Sequence, residues 1–134
     1  MSSIQATTYA LLAAQPALVA AVPTERWFRR GAQVDASKTP YVVLGWDGDL
    51  VTSGRTGPQG LTVYVHDSLG SYKRIGDIHR IVKAALTGTT HYRPNDTATP
   101  YVCGDFLGYG PEEVDQGNGT SVQTASYKIL GGAA

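Results

Sequence analysis

Gly60-Leu61-Thr62-Val63-Tyr64-Val65-His66-Asp67, then Ser68-Leu69-Gly70-Ser71, then Tyr72 through Leu86: this stretch decides the fold. Leu61, Val63 and Val65 alternate with Thr62, Tyr64 and His66. That period of two, in β-branched and aromatic residues, predicts a half-buried strand. Beyond Asp67 the period changes. Tyr72, Ile75, Ile78, His79, Val82 and Leu86 recur at steps of three and four, which is one face of a helix. Ser68 to Ser71 supply turn and N-cap chemistry between the two elements, and Gly88 is placed to close the helix as a left-handed C-cap. A strand that feeds directly into an amphipathic helix lays that helix on its own sheet, so the remaining elements must pack around this pair.

On the N-terminal side, Ser2 and Gln5 have capping-box spacing, and Ile4, Thr8, Leu11 and Leu12 form a helical stripe ending near Ala14. Pro16 opens a second short helical turn carrying Leu18, Val19 and Val22, and Pro23 stops it. Glu25 to Arg30 reads as a strand with Trp27 on one face and Arg26 and Phe28 on the other. Gly31 to Thr39 is a polar loop, and Pro40 to Trp46 is the next strand, centred on Val42 to Leu44. Asp47 to Gln59 holds three glycines, a proline and small polar residues, which marks a long connection between two strands able to pair as a hairpin. Hairpin loops usually run two to five residues, so a longer one points to function or mobility.

On the C-terminal side, Thr87 to Thr99 reads as a loop and Pro100 to Gly110 as a strand. Pro111 to Thr120 is an acidic, Gly-rich turn. Ser121 to Leu130 is the last strand, with Val122, Thr124, Ser126 and Lys128 alternating against Gln123, Ala125, Tyr127 and Ile129. Gly131 to Ala134 is expected to be a disordered tail. The predicted fold is α+β: one domain over residues 1–134, a mainly antiparallel β-sheet with two main helices packed on one face and a long β-hairpin loop.

A chain of 134 residues suffices for one core that buries roughly two thirds of the unfolded surface. Charged residues make up 16% and balance at eleven acids and eleven bases. A sparsely charged, net-neutral surface repels itself weakly and suits association, and it argues against a strong nucleic-acid binder. Cys103 is the single cysteine. It excludes an internal disulfide and a cysteine zinc site, fits a reducing compartment, and reads as a small apolar filler in a strand. Tyr9 to Val22 is apolar and Ala-rich, but no Lys or Arg precedes Arg26 and Pro16 interrupts the run, so a secretory signal is not expected. No apolar run reaches the roughly 20 residues of a membrane span.

Catalytic patterns are weak. Asp47 and Asp49 point the same way on an extended segment, but aspartates beside glycine are first of all turn formers. Asp115 to Thr120 superficially resembles a calcium loop and fails at its early ligand positions and at Ser126, where the bidentate glutamate should stand. His66 is expected on the outer face of the central strand, His79 packed at the margin of the helix stripe, and His91 in a loop, with no convergence. No phosphate loop or nucleophile elbow is present. No enzyme, cofactor or metal site is expected. Arg26, Arg29 and Arg30, interleaved with Trp27 and Phe28, form a candidate basic surface. Lys73, Arg74, Asp77, Arg80 and Lys83 are the polar face of the long helix. Eight tyrosines, several expected on exposed strand faces, favour an interface.

Several stretches match one known family in order and spacing. They are Ser-Ser-Ile-Gln-Ala (2–6), Tyr-Ala-Leu-Leu-Ala (9–13), Pro-Ala-Leu-Val-Ala (16–20), Thr-Pro-Tyr-Val-Val-Leu (39–44), Leu-Thr-Val-Tyr-Val-His-Asp (61–67), Ser-Tyr-Lys-Arg-Ile-Gly-Asp-Ile-His-Arg-Ile-Val-Lys-Ala-Ala-Leu (71–86) and Ala-Ser-Tyr-Lys-Ile-Leu (125–130). The chain resembles the tail terminator (tail completion) proteins of long-tailed bacteriophages from Ser2 to Leu130, most specifically across the strand, the Asp67 turn and the Ile-x-x-Ile helix. The resemblance implies a virion structural protein at the head-proximal end of the tail, assembled in the host cytoplasm. Such proteins form hexameric rings that cap the tail tube, stop its polymerisation and present a surface to the head. The implied partners are further copies of itself, the tail tube protein and a head–tail connector or neck protein. DNA passes through the lumen without specific binding, and no membrane is involved. A head–tail connector or head-closure ring is the alternative, because such proteins can share the fold. A ring needs a heterologous contact that closes, for which exposed strand edges offer sheet extension. The leading candidate to reach a neighbour or the tube is the loop with Asp47, Asp49, Leu50, Val51 and Arg55.

Overall fold

The computed structural model describes residues 4–47, 59–88 and 101–132. Of the predicted 47–59 connection, Asp47 closes one strand and Gln59 opens the next. Asp49, Leu50, Val51 and Arg55 lie outside the described residues, as do Ser2, His91 and most of the 87–99 loop.

The elements run α1 (Ile4–Ala13), α2 (Pro16–Ala21), a 3₁₀ turn (Thr24–Arg26), β1 (Trp27–Arg29), β2 (Tyr41–Asp47), β3 (Gln59–Asp67), α3 (Tyr72–Gly88), β4 (Tyr101–Tyr109), β5 (Glu113–Asp115) and β6 (Thr120–Gly132). The sheet order is β1-β2-β3-β6-β4, with β5 also paired to β6. The β2–β3 hairpin is antiparallel, as its alternation predicts, and β3, β4 and β5 all run antiparallel to the strands beside them except that β1 joins β2 in parallel. The architecture is the expected α+β sheet with helices on one face.

The core is the meeting of that face with the helices. Leu61, Val63 and Val65 from β3, Ala125, Tyr127 and Ile129 from β6, and Val42 and Leu44 from β2 pack against Ile75, Ile78, Val82 and Leu86 of α3 and Ile4, Leu11 and Leu12 of α1. The strand and helix stripes read from the sequence therefore face each other. Pro16 stands in the first turn of α2 as expected, where its missing N–H costs nothing. α3 continues through Gly88, so the residues that would form its C-cap lie outside the described residues.

One glycine permits the closest helix–strand approach. A Cβ on Gly104 would stand 2.9 Å from the Leu86 carbonyl oxygen and 3.1 Å from Ile129 Cδ1. Any side chain there would push β4 away from the end of α3.

The turn between β3 and α3 is fixed by charge. The Asp67 carboxylate is fully buried, accepts the Ser68 N–H at 2.7 Å, and takes both Nε and Nη2 of Arg74. That fork raises the Arg74 guanidinium pKa above its ordinary value. By contrast Arg80 and Lys73 pair with Asp77 at the helix surface, and Lys83 Nζ lies 4.2 Å from the centre of the Phe106 ring. His79 is fully buried and packed as expected, with one ring nitrogen satisfied: Nε2 is 2.8 Å from the Gln123 carbonyl oxygen, while buried Nδ1 has no hydrogen-bond partner among the described residues. Burial holds its pKa below the ordinary value, against the hydrogen bond to Gln123, which acts the other way.

Several expectations need correction. The predicted Glu25–Arg30 strand is only three residues long, because Thr24 to Arg26 wind into a 3₁₀ turn first. The acidic 111–120 turn contains a strand, β5, which takes up pairing with β6 where β4 leaves it. Gly131 and Gly132 belong to β6 and not to a tail, because they pair with Val102 and Tyr101. His66 lies on the sheet face away from the helices, as expected, but it is buried there. Tyr41 and Tyr127 are the largest fully buried side chains among the described residues, so the tyrosine count overstated the exposed aromatic surface.

Gly104→Ala should cost about 1–3 kcal/mol by overpacking, whereas Gly76→Ala in α3, where a Cβ meets nothing within 4 Å, should gain up to about 1 kcal/mol in urea unfolding. Arg74→Met, which strands a buried carboxylate, should cost about 3 kcal/mol. Arg80→Met, whose partner Asp77 is 39% exposed, should cost less than about 1 kcal/mol. The unfolded chain's histidine takes up a proton near pH ~6.5 while folded His79 resists it. Stability is therefore complete above that pH and declines as pH falls toward the lowered folded value. The melting temperature should be lower at about pH 5 than at about pH 7.5, with part of that difference absent in His79→Gln.

Candidate functional site

The helices cover one face of the sheet. The opposite face and the two terminal strands remain as candidates for contact. On the opposite face Tyr41, Val43, Tyr64, His66, Val122 and Thr124 share one side by strand alternation and register. All but the fully buried Tyr41 floor a groove of about 500 Å³ whose rims are Arg29 to Ala32 on one side and Glu113 to Asp115 on the other.

Of the groove residues, His66 belongs to an aromatic cluster. Phe28 meets Tyr41 edge-on at 5.9 Å, and Tyr41 stacks on His66 with centroids 4.6 Å apart and planes 7° from parallel. His66 Nδ1 is 2.9 Å from Thr120 Oγ1 and 3.9 Å from Asp115 Oδ2. Burial lowers the His66 pKa, opposed by the Asp115 charge. Threonine and aspartate both address the same ring nitrogen. A relay of hydroxyl, imidazole and carboxylate needs them on opposite nitrogens, so this arrangement ties the β5–β6 hairpin to β3 and does not activate Thr120. Among the described residues no cluster of three His, Cys, Asp or Glu side chains could hold a metal ion. No helix among them is long and apolar enough to cross a membrane. Cys103 is a half-buried, unpaired thiol on β4.

The three arginines of the candidate basic surface do not act together. Arg26 sits in the 3₁₀ turn, with Nη1 donating to the Thr39 carbonyl at 3.3 Å. Arg29 is exposed on terminal strand β1. Arg30 folds back across the sheet: its Nη2 donates to Tyr64 Oη at 2.8 Å and its guanidinium carbon lies 5.6 Å from that ring's centre. Gly45 makes room for it, since a Cβ there would come within 2.7 Å of the Arg30 guanidinium. Arg26 and Arg29 therefore mark the β1 edge, where Arg29 also borders the groove, and Arg30 lies within the groove. Asp47 ends β2, and its presumed companions in the candidate contact loop lie outside the described residues.

Sequence reasoning missed the other edge. Asp105, Glu112, Glu113 and Asp115 fall within residues 101–119, which contain no Lys or Arg. The same segment exposes Leu107 (64%), Val114 (53%) and Tyr109 (44%). The acid run was visible as a turn, but its place along a terminal edge depends on β5 pairing with β6, a contact that a three-residue strand does not announce. Asp115 also builds the hairpin turn, accepting the Asn118 and Gly119 backbone N–H groups at 3.2 and 2.8 Å. That explains the partial likeness to a calcium loop.

No protein-family model and no curated protein sequence matches the chain. Its fold is similar to that of a solved chain described as "Virion of native gene transfer agent (GTA) particle", with a TM-score of 0.67 and 18% sequence identity over 97% of this chain and 96% of that one. At that identity the likeness establishes a shared fold across almost the whole length of both chains.

Proposed function

We propose that this chain is a virion structural protein of the tailed-phage type, a non-enzymatic ring component that caps the tail tube. In this reading a closed ring, hexameric by the family resemblance, stops tube polymerisation and offers its far surface to the head's connector or neck protein. DNA passes through its lumen. It resides at the head-proximal end of the tail after assembly in the host cytoplasm.

The observation that carries the reading is the end-to-end fold likeness to a chain of a virion particle. It agrees with the tail-terminator pattern in the sequence, which spans the same elements. Two physical features support an assembly role. Two of the three histidines are engaged in packing, His79 in the core and His66 between Tyr41 and Thr120. The two terminal strands carry different chemistry, which a heterologous ring contact requires and a two-fold dimer does not.

Purified protein added to tail tubes of the cognate phage should bind at one tube end, as seen by electron microscopy, and halt further addition of tube subunits. Binding only to portal or capsid complexes would favour the head–tail connector role instead. Binding to neither would overturn both.

A further inference from the structure

We propose that copies of this chain meet head to tail through opposite edges of the sheet, the acidic β4–β5 edge of one against the basic β1 edge of the next. This deepens the ring reading and rests on it only for closure of the ring; the contact itself belongs to the purified chain.

The sheet order places β1 at one end and β4, with β5, at the other. The β4–β5 edge carries Asp105, Glu112, Glu113 and Asp115 without a single Lys or Arg between 101 and 119. Asp105 faces Lys128 across the strand pair, and Asp115 is engaged by its own turn and by His66. Glu112 and Glu113 are exposed and form the edge's outward charge. The β1 edge carries exposed Arg29. Arg26 reaches the Thr39 carbonyl at 3.3 Å, which brings the 3₁₀ turn beside exposed Lys38. Exposed Glu25 and Asp35 lie on the β1 side too, Asp35 beside Lys38, but residues 24–39 hold four bases against two acids, so this side is net basic where the β4–β5 edge is acidic. Like edges repel and unlike edges attract, which sets the direction of approach.

The acidic edge also presents Leu107, Tyr109 and Val114. Tyr109 also packs on His79 and Phe106, and burying exposed aromatic and aliphatic side chains supplies association energy that charges alone do not. Two unlike patches cannot satisfy each other in a two-fold pair. Each added copy leaves one patch of each kind free, so association continues until it closes.

The test uses analytical ultracentrifugation of the full chain and two charge-reversed variants, Arg29→Glu with Lys38→Glu and Glu112→Lys with Glu113→Lys. All four residues are exposed, and circular dichroism melting checks that each variant folds. Wild type should self-associate at low salt and less at high salt. Each variant alone has two like-charged edges and should associate at least about tenfold more weakly. An equimolar mixture should recover association, because each variant then offers the other an edge of opposite charge. A wild type that stays monomeric at low salt would overturn the proposal. So would a variant that associates as well as wild type, or a mixture no more associated than its components. Tube capping is scored separately. A chain that self-associates in this way but ignores tubes contradicts the capping role alone, and one that caps tubes while the mixture fails contradicts the edge contact alone.

Discussion

The Asp67–Arg74 pair holds the one turn on which the rest of the packing depends. β3 lies in the middle of the sheet, with β2 on one side and β6 on the other. α3 follows it after four residues and covers the same face. A buried carboxylate at the end of the strand would cost several kcal/mol unpaired. The guanidinium in the first turn of the helix neutralises it and ties the start of α3 to the end of the strand. With that tie made, the Ile75, Ile78 and Val82 stripe packs over Leu61, Val63 and Val65. α1 and α2 then fill what α3 leaves uncovered.

Covering one face decides where function can lie. The helical face is spent on the core. The opposite face is partly spent too, because Phe28, Tyr41 and His66 stack there and Arg30 lies over Gly45 toward Tyr64. The unspent surface is at the edges, where β1 and β4–β5 end the sheet with opposite charge. Among the described residues the sheet is covered on its helical side and not at its two terminal strands, which is compatible with the proposed ring.

Much of this fold was legible because its strongest signals are periodic. The two stripes in 61–86, the Pro16 helix start and the alternation of Val122 to Ile129 each follow from local geometry, and each appears in the structure at nearly the expected bounds. What the sequence hid depends on contacts between distant residues. His66 looked outward by alternation, yet Tyr41 and Thr120, far from it in sequence, bury it. Asp67 read as a turn residue, and its ion pair with Arg74 appears only when the helix folds back. The strand at β1 was read too long, and three-residue β5 carries too little pattern to be read, so the acidic edge became visible only through the structure. The arginine cluster was legible as charge but not as geometry, because neighbouring positions on an extended chain point to different sides.

The most direct measurement is an electron cryomicroscopy reconstruction of capped tail tubes at a resolution that traces the strands. The expected result is a closed ring at one tube end in which Arg29 of each subunit lies against Glu113 of the next and the α3 faces do not meet. Tube ends without this chain, or a ring whose subunits join through α3 or through the groove over Tyr64, would contradict it.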